Sequence, residues 1–178
     1  MEAMQEGSRI HRKIQRRVGA DYHAEIPLKF IVSYEEYDLA IEGRADGIIY
    51  EEGLLEETSR FLEDPRMDLE EGQEEAKPSV MIDEIKGVYL DVEQMAEPNA
   101  VHLAQAKCYA FIFATQHALP AIGVQMTYCN LDTEEIRRFQ MHYSYDEIEA
   151  WFLELVASYK KWSDFLFHHK MIRQQSIR

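Results

Sequence analysis

The run VMIDEIKGVYL (residues 80–90) is apolar and β-branched at both ends and carries Asp83, Glu84 and Lys86 in its middle. Such a run reads as a buried strand, and three charges inside one are costly unless something compensates them. Strand alternation puts Val80, Ile82, Glu84, Lys86 and Val88 on one face and Asp83 on the other. Glu84 and Lys86 therefore project together. An ion pair that staples the sheet is one explanation, because a Glu-x-Lys tripeptide is common. A reactive site is the other.

The remaining carboxylates and polar residues bear on that choice. Asp46 lies in GRADGII (residues 43–49), between two glycines on the strand that precedes 80–90. Consecutive antiparallel strands would bring Asp46 beside Glu84, and two hard oxygen donors at one place suit Mg²⁺ or Mn²⁺. The bland alternative is a turn aspartate before glycine. His102, Gln105 and Tyr109 share one helical face by their i, i+3, i+7 spacing, as a polar helix edge also would. His11 lies on the apolar stripe of a first helix, where a histidine is more often buried structure than a ligand.

The rest of the chain supplies one domain around these residues. Its 178 residues suffice for a single real core, and 46% hydrophobic with 11% aromatic residues argue for a globular chain. Helical spacing predicts a helix over 7–19, and β-branched and aromatic residues predict strands over 22–34, 37–50 and 79–89. Gly43 and Gly47 mark bends or close approach. Pro98-Asn99 opens a helix that runs to about His117, and Pro120 prevents its continuation. Strands follow over 121–130 and 135–143, then a long helix over 145–169. The expected class is α/β (α+β), in the order α-β-β-β-α-β-β-α. The domain spans 1–170, and 171–178 reads as a tail or linker.

Charge is unevenly distributed. The net −14 alone argues against wrapping nucleic acid. Residues 51–77 hold 11 acids and 3 bases, a net of −8, which leaves −6 for everything else. This acidic insert is expected to be mobile, with too few apolar side chains to offset ordering. Residues 1–20 carry five bases and two acids, and residues 159–178 five bases and one acid. No membrane span and no signal peptide are expected, and Cys108 and Cys129 read as a reduced pair in a cytoplasmic protein.

Taken together, four short motifs resemble the PD-(D/E)xK nucleases of the RecB type. Gly7-Ser8-Arg9-Ile10-His11 fits that family's G-x-x-x-H, and Gly43-Arg44-Ala45-Asp46 fits its G-x-x-D. Glu84-Ile85-Lys86 fits (D/E)-x-K, and His102, Gln105 and Tyr109 fit H-x-x-Q-x-x-x-Y. The four stand in the family's order over about residues 7–130. The resemblance implies a restriction-endonuclease-like core, a central mixed sheet flanked by helices, and DNA phosphodiester hydrolysis with Mg²⁺ or Mn²⁺. It implies His11, Asp46, Glu84 and the Ile85 carbonyl as metal ligands, and Lys86 as the residue that orients or activates water. Gln105 and Tyr109 would steady the catalytic site and phosphate, with His102 and Glu25 at the substrate. The four cysteines of the family's iron–sulfur members are missing, so no cluster is expected.

The closing residues 172–178 resemble the linker after the nuclease domain of some bacterial DinG-like helicases, which implies a helicase partner in cis. Bases confined to the first helix and the chain end suggest a narrow positive lip, suited to single-stranded DNA or DNA ends, with Tyr22, Tyr34 and Tyr109 available to stack a base. Two readings compete: a catalytically inactive relative used for DNA or protein binding, and an acidic DNA mimic built on residues 51–77.

Overall fold

A computed structural model describes residues 2–15, 19–51, 54–55 and 78–176. Most of the acidic insert at 51–77 lies outside the described residues. The elements are α1 (Glu2–Gln15), β1 (Tyr22–Ser33), β2 (Asp38–Ile49), β3 (Met81–Val88), α2 (Ala100–Gln116), β4 (Ala121–Asn130), β5 (Ile136–Ser144) and α3 (Tyr145–Ser176). This is the expected α-β-β-β-α-β-β-α order, and the five strands form one mixed sheet in the order β1-β2-β3-β4-β5. The arrangement is a mixed α+β one, compatible with a restriction-endonuclease-like core. β3 and β4 are parallel, joined through α2, and the other neighbours are antiparallel.

Local sequence explains the joints. The Asn99 side chain caps α2 by accepting from the Val101 and His102 amides, at 2.9 and 3.4 Å. Ala118 then takes a left-handed φ of 51°, and Leu119-Pro120 leads into β4. The β4–β5 turn is held by the Asn130 carboxamide oxygen, which accepts from the Asp132 and Thr133 amides.

Two apolar clusters flank the sheet. The larger gathers Ile48 and Ile82 with Ala106, Ala110 and Ile112 of α2 and Ile148 and Phe152 of α3. The smaller seats Ile10 and Ile14 of α1 on Ile85, Cys129 and Leu131. Arg9 and Lys13 of α1 also pair with Glu134 beyond the β4–β5 turn.

The inward-facing side of the β1–β2 ribbon changes midway. Leu28 and Ala45 face the main core, and so does Ile48, three residues after Ala45. Strict alternation forbids that unless the phase breaks between them. The break coincides with Glu25, whose φ of 58° is left-handed, opposite Asp46.

Two boundaries differ from the sequence reading. α1 begins at Glu2 and not at residue 7, and Gly19 is outside it, while 16–18 lie outside the described residues. α3 continues through Ser176, beyond the expected end at 169, so 171–176 are helical. The reason is compositional: neither Gly nor Pro follows Ala157, and Lys, Met, Arg and Gln sustain a helix.

Gly47 is needed where the phase breaks. A Cβ there would overlap the ring of Tyr22, whose hydroxyl is anchored on buried Asp83. We expect Gly47→Ala to cost about 2 kcal/mol in denaturant unfolding, as overpacking does, and the cost to fall by more than half in a Tyr22→Ala background.

Candidate functional site

The site forms where β2 and β3 separate. Their pairing runs from Ile49–Met81 to Gly47–Asp83 and goes no further. The next residues along the strands are Asp46 and Glu84. Instead of a ladder hydrogen bond, the Ile85 amide donates to Asp46 Oδ2 at 2.8 Å. A side chain thus satisfies a buried backbone donor that the sheet has released.

Two further elements, α1 and α2, converge on this point, where a second residue of β3 joins them. The docking of Ile10 and Ile14 turns His11 of α1 toward Asp46, with Nδ1 3.4 Å from Oδ1. In β3, Lys86 Nζ donates to Glu84 Oε1 at 2.7 Å, so the two residues do project together. From α2, Gln105 Oε1 accepts from Lys86 Nζ at 3.2 Å, and Gln105 Nε2 donates to the Tyr109 hydroxyl at 3.2 Å. Gly43 allows this approach, because a Cβ there would overlap the Tyr109 hydroxyl.

Glu84 is the least satisfied group. It is 1% exposed, and its Oε2 is buried without a hydrogen-bond partner. Burial, then the negative charge of Asp46, raises its pKa to about 7, against the opposing pull of Lys86 and His11. The hydrogen bond to Asp46 raises the pKa of His11. On the other face of β3, Asp83 is equally buried but fully partnered. It accepts from Tyr22 at 3.1 Å, Gln125 at 3.0 Å and Thr127 at 2.6 Å.

Among the described residues, no three His, Cys, Asp or Glu side chains stand as a preformed cation cage. His11, Asp46 and Glu84 are close, but internal partners hold them. The donor set nevertheless fits a hard cation: two carboxylates and an imidazole stand together, with one buried carboxylate oxygen lacking any partner.

The other predicted residues divide. Glu25 stands opposite Asp46, 3.4 Å from both Arg44 Nη1 and Gln15 Nε2. With Arg44, Lys29, Glu42 and Asp46 it borders an open groove of about 720 Å³. His102 pairs with Tyr128, its Nδ1 3.2 Å from the hydroxyl, and burial, then the charge of Lys86, lowers its pKa. Of the three tyrosines expected to be available for stacking, Tyr109 and Tyr22 lie at the site and Tyr34 does not. Tyr22 is committed to Asp83, and Tyr34 sits at the β1–β2 hairpin end beside Tyr37 and Lys160. The positive lip is also weaker than expected, because Arg9 and Lys13 are paired with Glu134.

Sequence reasoning missed Gln15. Its Nε2 donates to the Asp46 carbonyl at 2.9 Å, fixing the strand backbone at the site. Its i+4 spacing from His11 was the available signal.

No protein-family profile matches the chain, and no curated protein does. A solved structure described as "Crystal structure of SSO0001" aligns at 17% identity with a TM-score of 0.49 over 79% of this chain. This chain spans about half of that one, 52%. No helix among the described residues is long and apolar enough to cross a membrane.

The raised pKa of Glu84 makes a pH prediction. A carboxyl that holds its proton more tightly when folded stabilises the fold at low pH, and that stability is lost as pH rises from about 4.5 to about 7. His11 and Asp83 are also raised and act in the same direction. Metal-free protein should therefore lose roughly 3 kcal/mol or less across that window through Glu84. Glu84→Gln should flatten the slope, measured by urea unfolding at several pH values in EDTA.

Proposed function

We propose that the chain is a divalent-metal-dependent deoxyribonuclease of the PD-(D/E)xK superfamily, RecB type. It hydrolyses phosphodiester bonds in single-stranded DNA or at DNA ends during repair or recombination. It works in the cytoplasm, with a helicase partner in cis. The observation that carries this reading is Glu84: a buried carboxylate, half-partnered, next to a second carboxylate and tied to a lysine. A purely structural ion pair would not bury one oxygen without a partner, since that costs about 1–3 kcal/mol. Asp83, one residue away, leaves neither oxygen unpartnered.

His11, Asp46, Glu84 and the Ile85 carbonyl would hold Mg²⁺ or Mn²⁺. Bound there, the cation would supply positive charge against the phosphate and acidity to a water. The protein's own residues do the positioning. Asp46 is fixed by the Ile85 amide through its side chain and by Gln15 through its carbonyl. Gln105, itself held by Tyr109, keeps the Lys86 ammonium at the mouth of the site. There Lys86 can orient a water for attack and stabilise negative charge on the phosphate oxygens. The groove bordered by Glu25 and Arg44 gives one flexible strand a route past Asp46.

We expect Lys86→Ala to lower cleavage of end-labelled DNA by about a hundred- to a thousandfold, the scale of losing a charge-stabilising donor. Metal affinity should change little. Near-normal turnover in that variant would remove Lys86 from its role, and EDTA-insensitive cleavage would contradict the metal requirement. On matched oligonucleotides, single strands should be cut faster than blunt duplex at low and moderate salt. Equal or faster cutting of duplex would overturn the substrate preference.

A further inference from the structure

α3 is 32 residues long, about 48 Å, and outruns the domain it packs against. Ile148, Phe152 and Val156 are its buried residues. Beyond Val156 the hairpin end covers one side of it. Tyr37 donates to Asp164 at 2.6 Å and its ring lies 5.5 Å from that of Phe167, while Lys160 reaches Asp164 and the face of Tyr34. A different side, in line with the core-facing residues, stays open. Leu155, Tyr159, Trp162 and Leu166 are 39, 47, 52 and 43% exposed. Their spacing of four, three and four is the seam spacing of paired helices. The rings of Tyr159 and Trp162 are already together, with centroids 5.2 Å apart.

We propose that this stripe pairs with the same stripe of a second copy of the chain, antiparallel, about a twofold axis between Lys160 and Lys161. Two features select that occupant. The first is register. About that axis Leu155 meets Leu166 of the partner and Tyr159 meets Trp162, so all four residues find an apolar counterpart from one symmetry operation. The second is charge. From Tyr145 to Ala157 the helix holds Asp146, Glu147, Glu149 and Glu154 and no base. From Ser158 to Ser176 it holds Lys160, Lys161, Lys170 and Arg173 against Asp164, with His168 and His169. An antiparallel pair sets the acidic half of each helix against the basic half of the other, whereas a parallel pair sets like against like. Leu155 and Tyr159 also border a groove of about 340 Å³ with Leu39, Ile41 and Phe152, which extends the apolar surface onto β2.

The test is sedimentation velocity of the full chain and of Trp162→Lys, with circular dichroism and thermal melting of both. Wild type is expected to be a dimer at micromolar concentration. Trp162→Lys should weaken it by at least about tenfold, as loss of a central aromatic anchor does, with helix content and melting unchanged. Register is read by oxidative cross-linking. A Leu155→Cys, Leu166→Cys double variant should form covalent dimers, and each single variant should not, with wild type alongside to report linkage through Cys108 or Cys129. A monomeric wild type at about 100 μM overturns the proposal, as does a dimer that Trp162→Lys leaves intact. Dimers from the single variants alone mean parallel pairing and overturn the register. If Trp162→Lys fails to fold, the cross-linking pattern decides.

Discussion

The hydrogen bond from the Ile85 amide to Asp46 Oδ2 organises the site. β2 and β3 part after the Gly47–Asp83 pair, and a buried amide released there would cost about 1–3 kcal/mol if left unmade. Asp46 takes the place of the missing ladder partner. That fixes its carboxylate beside Glu84 and leaves Oδ1 facing His11. The same Ile85 presents its side chain to Ile10 and Ile14, so one residue anchors the second carboxylate by its amide and α1 by its side chain. The Glu25 conformation, the phase break in the β1–β2 ribbon and the close approach of Tyr22 to Gly47 all cluster around this point. Irregular backbone of this kind persists only where the surroundings hold it in place.

β3 carries two adjacent buried carboxylates with opposite treatment. Asp83 receives three hydrogen bonds from side chains of β1 and β4, a closed network that holds the sheet together. Glu84 receives one, from Lys86, and its second oxygen has none. Fully satisfied polar groups rigidify a fold, whereas a buried oxygen left without a partner carries a desolvation cost. The electrostatics agree: burial and the charge of Asp46 raise the pKa of Glu84 to about 7, so its protonated and ionised forms are balanced near pH 7, and added positive charge would favour the ionised form.

Much of this was legible in the sequence. The element order, the strand limits near Tyr22, Ile49 and Asn130, and the Asn99 cap follow from local propensity and turn chemistry, and the structure reproduces them. Alternation correctly put Glu84 with Lys86 and Asp83 on the other face. Helical spacing correctly put Gln105 with Tyr109, yet His102, on the same face, turned to Tyr128. Face membership does not determine which neighbour a side chain reaches. The phase break at Glu25 and Asp46 was invisible, because the residue at the strained position is not a glycine and the Tyr22–Asp83 contact beside it joins residues far apart in the chain. The length of α3 was underestimated because its last turns carry polar and basic residues that read as a tail, although nothing in them stops a helix.

The central claim is that Asp46 and Glu84 together form a divalent-cation site. Isothermal titration of Mn²⁺ into metal-free protein tests it most directly, with wild type, Asp46→Ala and Lys86→Ala compared at one pH above 7. The account predicts saturable binding in wild type, retained in Lys86→Ala and lost in Asp46→Ala while the latter stays folded. No binding at millimolar Mn²⁺, or binding unchanged by Asp46→Ala, would contradict it.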